Sequence, residues 1–461
     1  MNKNILLLIG ALGFSVLFYQ NGFGINILLF SLTVTLLLLL TNFEKFKEVR
    51  TILLSLLYVG TSFVFFIHHT ELVLITNLVV FFIFLGSLSE HNSSVYVKFL
   101  NGFFSTIATS FYNYFNKIND EEESKNDRKI DYLFLIKMVG IPLITIIIFI
   151  ILYRTANPYF NDIISKVDLS FIDLQWIMFT ALGFFLFANV TVPSSIELIT
   201  EADIRTGNSL QAASMKNQKL EDIFKEKQLG LVLISLLNLL IIFYLITDTI
   251  YLRNSNDFSA PELSKIVHEG VYALIASIII AISIILYFFR GNMNFYEKNK
   301  ALKIVALVWI GLNIILLLTT SYKNYLYSTQ FGLTYKRIGV FVYLMLCLFG
   351  LITTGVKTLG KYNFWFLLRS NTIIALVLLV FASLFNWDAM ITNYNVNNAK
   401  IIDVAYLLQL HNNYEELEQY LNKKPDLISY GDKQRIKSKI DLHLSEIEHR
   451  KWQEFTYENI K

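Results

Sequence analysis

Charge is what this sequence has least of. Only 16% of its 461 residues are Asp, Glu, Lys or Arg, against about 25% in soluble domains. With 54% apolar residues and a mean hydropathy of +0.51, the composition excludes a soluble globule. A single cysteine, Cys347, excludes an intrachain disulfide and a thiolate metal cluster. Five prolines and twenty glycines leave no low-complexity linker, and no repeat of fixed period is present. The net charge of +3 gives no general electrostatic case for nucleic acid. The chain has no phosphate-binding loop, dinucleotide fingerprint, Gly-x-Ser-x-Gly elbow, His-Glu-x-x-His or Cys–His pair. Ser194-Ser195 beside Glu197 reads as a helix start, not as a nucleophile.

Long apolar runs fill the space that charge leaves. About 20 helical residues cross the hydrocarbon core. On that measure eleven spans are expected, at 4–20, 24–41, 51–67, 71–88, 132–153, 175–192, 229–251, 267–289, 303–321, 338–358 and 365–386. Lys3 before the first run resembles a signal peptide. No small-residue cleavage site follows, however, and a second run begins almost at once, so an uncleaved hairpin is expected.

Orientation follows from Lys and Arg in the loops. With the N-terminus in the cytoplasm, the inside loops hold Lys45, Lys47 and Arg50, then Lys98, Lys117, Lys125, Arg128 and Lys129, with similar sets after the later even-numbered spans. The outside loops hold few, among them Lys323, Lys336 and Arg337. An odd number of spans places residues 387–461 outside. The expected fold is all-α and polytopic, with a four-span region at 1–131, a seven-span domain at 132–386 and a small helical tail at 387–461.

Outside the spans, residues 95–117 are apolar at helical spacing (Val95, Phe99, Phe103, Ile107, Phe111, Phe115), as in a helix lying in the cytoplasmic interface. Asp120-Glu121-Glu122-Glu123 reads as a solvated linker. In the tail, Ile401, Val404, Leu408, Leu417, Leu421, Ile436, Ile440, Leu444 and Ile447 recur at helical spacing and predict about three helices. So small a core must lean on the membrane domain, a partner or a second copy.

Ionisable residues deep in a span are costly and usually functional. No span has an acid at its centre, which weighs against ion-coupled transport. Lys137 and Arg369 lie about one turn from the cytoplasmic end of their spans, where snorkelling accounts for them. The other side is richer. His68, His69 and Glu71 form one turn, and Asp248, His268 and Glu269 lie at other outer ends. Their spacing does not define a metal site, and no metal or other cofactor is expected. Ala273, Ser277 and Ala281, four apart, form a small-residue packing face.

The densest polar island is Phe331-Gly332-Leu333-Thr334-Tyr335-Lys336-Arg337, set directly against a span. Two cations there oppose the positive-inside bias. Either both rest on lipid phosphates, or Arg337 is held by a carboxylate, with Asp248, Glu269 and Asp388 as candidates and Asp388 preferred because its segment leads into the tail. Gly332 and Gly339 would let the backbone turn, and Thr334 would cap the following helix.

Gly332-Leu333-Thr334 with Arg337, Asn386-Trp387-Asp388-Ala389-Met390-Ile391 leading to Tyr394-Asn395, and Asp403 with Tyr406-Leu407 come in an order that resembles one bacterial multi-pass membrane family. It is described as a domain of unknown function, number 4153, with a sister family 4173. Ala156-Asn157-Pro158-Tyr159-Phe160 resembles another of its signatures. The chain departs from the pattern at Trp387, where a proline is usual, and at Tyr335-Lys336, where an acidic–apolar pair is common. The resemblance implies an integral membrane protein and brings no activity with it.

Two functional readings stand. One is a non-enzymatic component of the bacterial inner membrane, an envelope sensor or accessory subunit that meets a protein partner through its tail. The other is a lipid- or glycan-handling transporter or transferase using the outer face. The lipid bilayer is a partner in both, and nucleic acid in neither.

Overall fold

The protein is described by a computed structural model over residues 3–109, 142, 145–146, 148–150, 152–165, 173–211, 220–253, 260–423, 425 and 428–460, with backbone only for 3–4, 220 and 260–268. Most of the expected fifth span, Lys137, the acidic linker, Phe111 and Phe115 lie outside these residues, as does the side chain of His268. The described residues are all-helical, without a β-strand; Ser209 and Tyr362 form one isolated antiparallel bridge.

Seven helices among the described residues are long and apolar enough to cross a membrane: Val49–His68, Glu71–Ser89, Glu221–Arg253, Glu269–Phe288, Glu297–Phe331, Tyr335–Gly360 and Phe364–Ser383. The first, second and sixth expected spans appear as shorter apolar helices, Ile5–Phe18, Ile25–Thr41 and Leu174–Val190. Among the described residues, seven of the eleven expected spans thus meet the length and composition of a span, three are shorter, and most of the fifth lies outside these residues.

The chain divides into two compact units, Met1–Gln20 with Ser105–Val192, and Asn21–Phe104 with Pro193–Lys461. In the first, α1 (Lys3–Phe18) packs along a later apolar helix, Leu174–Val190. Gly183 makes room there for the Phe14 ring. Ser15 and Thr180 share a hydrogen bond of 2.6 Å, and the Tyr19 hydroxyl donates to Asp173 at 2.7 Å. Small and hydroxylated side chains are what let apolar helices approach when lipid supplies no hydrophobic drive between them.

The second unit opens with α2 (Ile25–Thr41), α3 (Val49–His68), α4 (Glu71–Ser89) and α5 (Val95–Ile107). The α3 and α4 pair is pinned by Asn77, whose amide donates to Tyr58 O and to the Thr61 hydroxyl, both at 2.9 Å. Where α4 meets α5 the backbones touch. A Cβ on Gly86 would lie 1.8 Å from Lys98 O, and one on Gly102 1.8 Å from Phe82 O. The small, polar face of α5 is thus the packed one, with Asn101 wholly buried and bound to Thr200 and to the Ile196 amide, while Phe103 and Ile107 stay exposed.

The remaining described helices before the tail are α6 (Pro158–Ser165) and α7 (Leu174–Val190) in the first unit, then α8 (Glu197–Arg205), α9 (Leu220–Arg253), α10 (Ala260–Phe288), α11 (Lys300–Phe331), α12 (Tyr335–Gly360) and α13 (Phe364–Ser383). Helices α9 to α12 bury one apolar core around Ile234, Leu274, Ala281, Leu302, Trp309 and Leu351. Arg369 does not snorkel. It grips Asp203 of α8 at 2.9 Å and Asn208 at 2.6 Å. Burial pushes the Asp203 carboxyl up, but donors from Ser94, Tyr96 and Arg369 outweigh it and hold it below its ordinary value.

The tail comprises α14 (Trp387–Asn398), α15 (Val404–Gln409), α16 (Tyr414–Lys423) and α17 (Tyr430–His449). Its core of Ile391, Leu407, Leu410, Leu417, Tyr420 and Ile436 takes in Leu333 from the α11–α12 link and Ile338 from the first turns of α12. The last residues return to the start of α2, with the Ile25 amide on Phe455 O at 2.7 Å and the Gly22 amide on Glu454 at 2.7 Å. Gly86→Ala or Gly102→Ala is expected to cost about 1–3 kcal/mol by overpacking. Gly60→Ala, with open space at its Cβ, should be neutral or stabilising. Thermal unfolding of the three variants in detergent checks the contrast.

Candidate functional site

The link between α11 and α12 is built by its own local chemistry. Gly332 closes α11 at φ +80°, a left-handed conformation that favours glycine, and a Cβ there would lie 2.6 Å from the Asn395 amide oxygen. That close approach lets Asn395 bracket Leu333. Its oxygen accepts the Leu333 amide, and its nitrogen donates to Leu333 O at 2.9 Å. Thr334 is the N-cap of α12, and its hydroxyl accepts from the Arg337 amide at 3.3 Å. Gly339 lies within α12 with nothing near its Cβ, so it plays no part in the turn.

The carboxylate that meets this link is Asp388, in the first turn of α14 and buried. It accepts from the Tyr335 hydroxyl at 2.7 Å, the His411 amide at 3.0 Å and the Asn412 amide at 2.9 Å. Tyr335 returns a second contact, since its amide donates to the Tyr406 hydroxyl at 2.9 Å. The expected Arg337–Asp388 pair is therefore not formed. Arg337 Nη1 donates to Phe331 O at 2.8 Å and to Gly332 O, and the guanidinium lies 3.8 Å over the Tyr327 ring. The carbonyls that α11 leaves unsatisfied at its C-terminal end take the cation that a carboxylate was expected to hold. Lys336 is exposed on the first turn of α12.

Around these groups lies a cavity of about 1170 Å³. Its walls come from the α3–α4 corner (His69, Glu71), the cap and first turn of α12 (Thr334 to Arg337), and the tail (Asp388, Tyr406, Tyr414, Glu446, Arg450). Leu72, Ile75 and Val340 give it an apolar side. Two of the polar clusters seen in the sequence thus share one cleft. Others do not join it. His68 bonds Leu384 O at 3.1 Å. Asp248 forms a buried ion pair with Lys323 of α11 at 2.6 Å, a partner that the sequence showed only as one more cation on the sparse side. Glu269 heads a span of α10 away from the cleft lining. Among the described residues, no three His, Cys, Asp or Glu side chains gather as a metal site.

Two of the three imidazoles that line the cleft are engaged, and the exposed ring of His411 has no hydrogen-bond partner among the described residues. His69, in a left-handed C-cap at φ 45°, bonds Phe23 O at 3.0 Å. Burial is the main cause that lowers its pKa below the ordinary 6.5. His443 stacks on Tyr414 with centroids 3.3 Å apart and meets Glu458 at 3.3 Å. Burial raises the Glu458 carboxyl, but His443 and Arg450 outweigh it and hold it low.

The described residues, all-helical and with seven helices long and apolar enough to cross a membrane, have the make-up of a multi-pass membrane protein. The family model described as "Domain of unknown function (DUF4153)" matches residues 6–419, and the chain belongs to that family. No curated protein and no solved structure matches it. The family-like motifs separated in sequence meet at the link: Gly332 and Leu333 on Asn395, Tyr335 on Asp388 and Tyr406, and Asp403 capping α15 through the Tyr406 amide. Asn157, from the fourth motif, caps α6 in the other unit.

Two outcomes follow for docking. Cleavage by trypsin after the exposed Lys400 should accelerate most in Asp388→Ala and less in Tyr335→Phe, which removes a bond to a charged acceptor worth about 1.5–3 kcal/mol. Lys336→Ala should match wild type; equal rates in all variants would remove Asp388 as the docking group. The second is pH dependence. Because the folded pKa of His69 is depressed, the unfolded chain binds the proton first. Its contribution is fully present above about 6.5 and is lost as pH falls toward the folded value. His69→Asn, which tolerates the left-handed backbone and cannot be protonated, should flatten that part of the thermal-stability profile.

Proposed function

We propose that this protein is a non-enzymatic component of the bacterial inner membrane, an envelope sensor or accessory subunit, with its N-terminus in the cytoplasm and its tail on the extracytoplasmic side. The observation that carries this reading is how the chemically capable groups are used. Asp388 spends its carboxylate on one hydroxyl and two amides, His68 and His69 are bonded to carbonyls, and His443 is stacked and paired. A general base must reach a substrate proton with a free lone pair; Asp388 instead anchors the tail, His443 packs within it, and His68 and His69 are tied to Leu384 and Phe23. The scarcity of Lys and Arg in the loops on the tail side supports the orientation.

The second reading, a lipid- or glycan-handling transporter or transferase, is favoured by the composition of the cleft, where Tyr335, Trp387, Tyr406 and Tyr414 face a volume that also touches the apolar side chains of α4 and α12. The accessory reading expects a membrane-impermeant amine crosslinker, added to intact cells, to join tail lysines such as the exposed Lys437 to a discrete partner protein. Asp388→Ala should abolish that crosslink. Crosslinking only after lysis would overturn the outward tail, and a crosslink insensitive to Asp388→Ala would sever the partner from the docked arrangement.

A further inference from the structure

Lys336 and Arg337 stand in the first turn of a 26-residue helix, where the aligned peptide dipoles already carry positive partial charge. Cations are disfavoured at that end, and two of them side by side repel each other as well. Among the described residues neither forms an ion pair. Asp388, the buried acid of the cleft lining, is filled by Tyr335, His411 and Asn412. Glu71 and Glu446 face the same cleft from α4 and α17 without an ion pair to either cation.

Arg337 is nonetheless held rigidly. One guanidinium nitrogen, Nη1, is committed to Phe331 O and Gly332 O, and the flat face rests on Tyr327. Asn324, wholly buried, fixes the Arg337 carbonyl at 2.9 Å. The other edge, Nε and Nη2, donates to no described residue and belongs to a side chain that lines the cleft. That edge is the two-donor fork that grips an oxyanion bidentately. Lys336 adds a mobile ammonium beside it, and the Lys336 amide, which also donates to no described residue, completes the helix end. The cleft continues over Leu72, Ile75 and Val340, and Ile75 is 54% exposed on the flank of a span-like helix.

We propose that the first turn of α12 binds a phosphate group inside the cleft, with the Arg337 fork and the Lys336 ammonium as its ligands, and that the apolar side of the cleft takes the chains of a phosphate-bearing membrane amphiphile. This rests on the second reading, in which the cleft takes a lipid or glycan, and names the group it binds. The anion offsets the two cations and the helix end together, which accounts for a cationic pair that lies on the tail side of the membrane helices.

The test uses the full chain in detergent and native mass spectrometry. The probes are short-chain phosphatidylglycerol, a diacylglycerol with the same chains and no phosphate, and inorganic phosphate. One phosphatidylglycerol per chain is expected, with diacylglycerol at background. Lys336→Ala should weaken binding about tenfold, as should Arg337→Lys, which keeps the charge and loses the fork. Lys336 is exposed and its side chain makes no hydrogen bond or ion pair with a described residue, so its variant also controls for folding through unchanged cleavage after Lys400. Inorganic phosphate binding as tightly as the lipid supports the same site with a soluble phosphate as its source. Diacylglycerol binding as tightly as the phospholipid, or full affinity in both variants, overturns the proposal. A partner crosslink that persists without phosphate binding would remove the phosphate alone; phosphate binding without a crosslink would remove only the accessory role.

Discussion

The buried carboxylate of Asp388 is the point at which three separately made parts of this protein become one. It receives a hydroxyl from the first turn of α12 and two consecutive amides from the loop before α16. A buried charge needs such donors, because desolvation without them costs several kcal/mol. Once they are in place, the carboxylate orients Tyr335, and the Tyr335 amide in turn meets Tyr406 of α15. The adjacent residues inherit their positions. Asn413 binds Thr392 at 2.8 Å and Leu407 O at 2.9 Å, and Lys439 of α17 reaches the same loop through Asn413 at 3.1 Å. Burial lowers the Lys439 pKa to about 8, and the carbonyls and amide around it, the nearby Asp388 charge and the Tyr414 ring favour the cation there. The tail is thus organised from its polar seam outward, and its small apolar core closes only with Leu333 and Ile338 of the membrane helices included.

Much of this architecture can be read from the residues. Apolar runs of span length mark α3, α4 and α9 to α13, because nothing in water competes for twenty successive hydrocarbon side chains. Turn and cap chemistry at Gly332 and Thr334 is local and readable for the same reason. Aperiodic pairings are not. Arg337 and Asp388 are the obvious opposite charges, yet the helix that ends just before Arg337 offers two bare carbonyls closer than any carboxylate. Tyr335, a phenol among cations, takes the acid instead. In the same way Arg369 reads as a snorkelling cation until α8 brings Asp203 beneath it, and Lys323 reads as a loop residue until α9 brings Asp248. Each partner lies 75 or more residues away in the chain, beyond any spacing rule.

The glycines divide into two kinds for a physical reason. Gly86, Gly102 and Gly332 are places where another backbone or a buried amide occupies the volume of a side chain. Gly13, Gly60, Gly311 and Gly339 face open space. In a lipid-facing bundle the first kind sets how closely helices approach. Their positions trace the contacts that bring α4 against α5, and α14 against the α11–α12 link.

The hydrogen bond from the Ile25 amide to Phe455 O joins residues 430 positions apart in the chain, and Glu446 and Arg450, which wall the cleft, belong to the same late-made segment. During synthesis at about 5–20 residues per second, roughly 20–90 s separate the emergence of the two. Helices α2 to α4 must therefore be inserted and waiting, with the loop before α2 unpaired at its tail-side end, well before the last turns arrive to cover it. For that interval the cleft is an open shelf rather than an enclosed volume. Any ligand that enters slowly has its widest access to a newly made molecule, and any chaperone of the tail has a defined and brief moment in which to act.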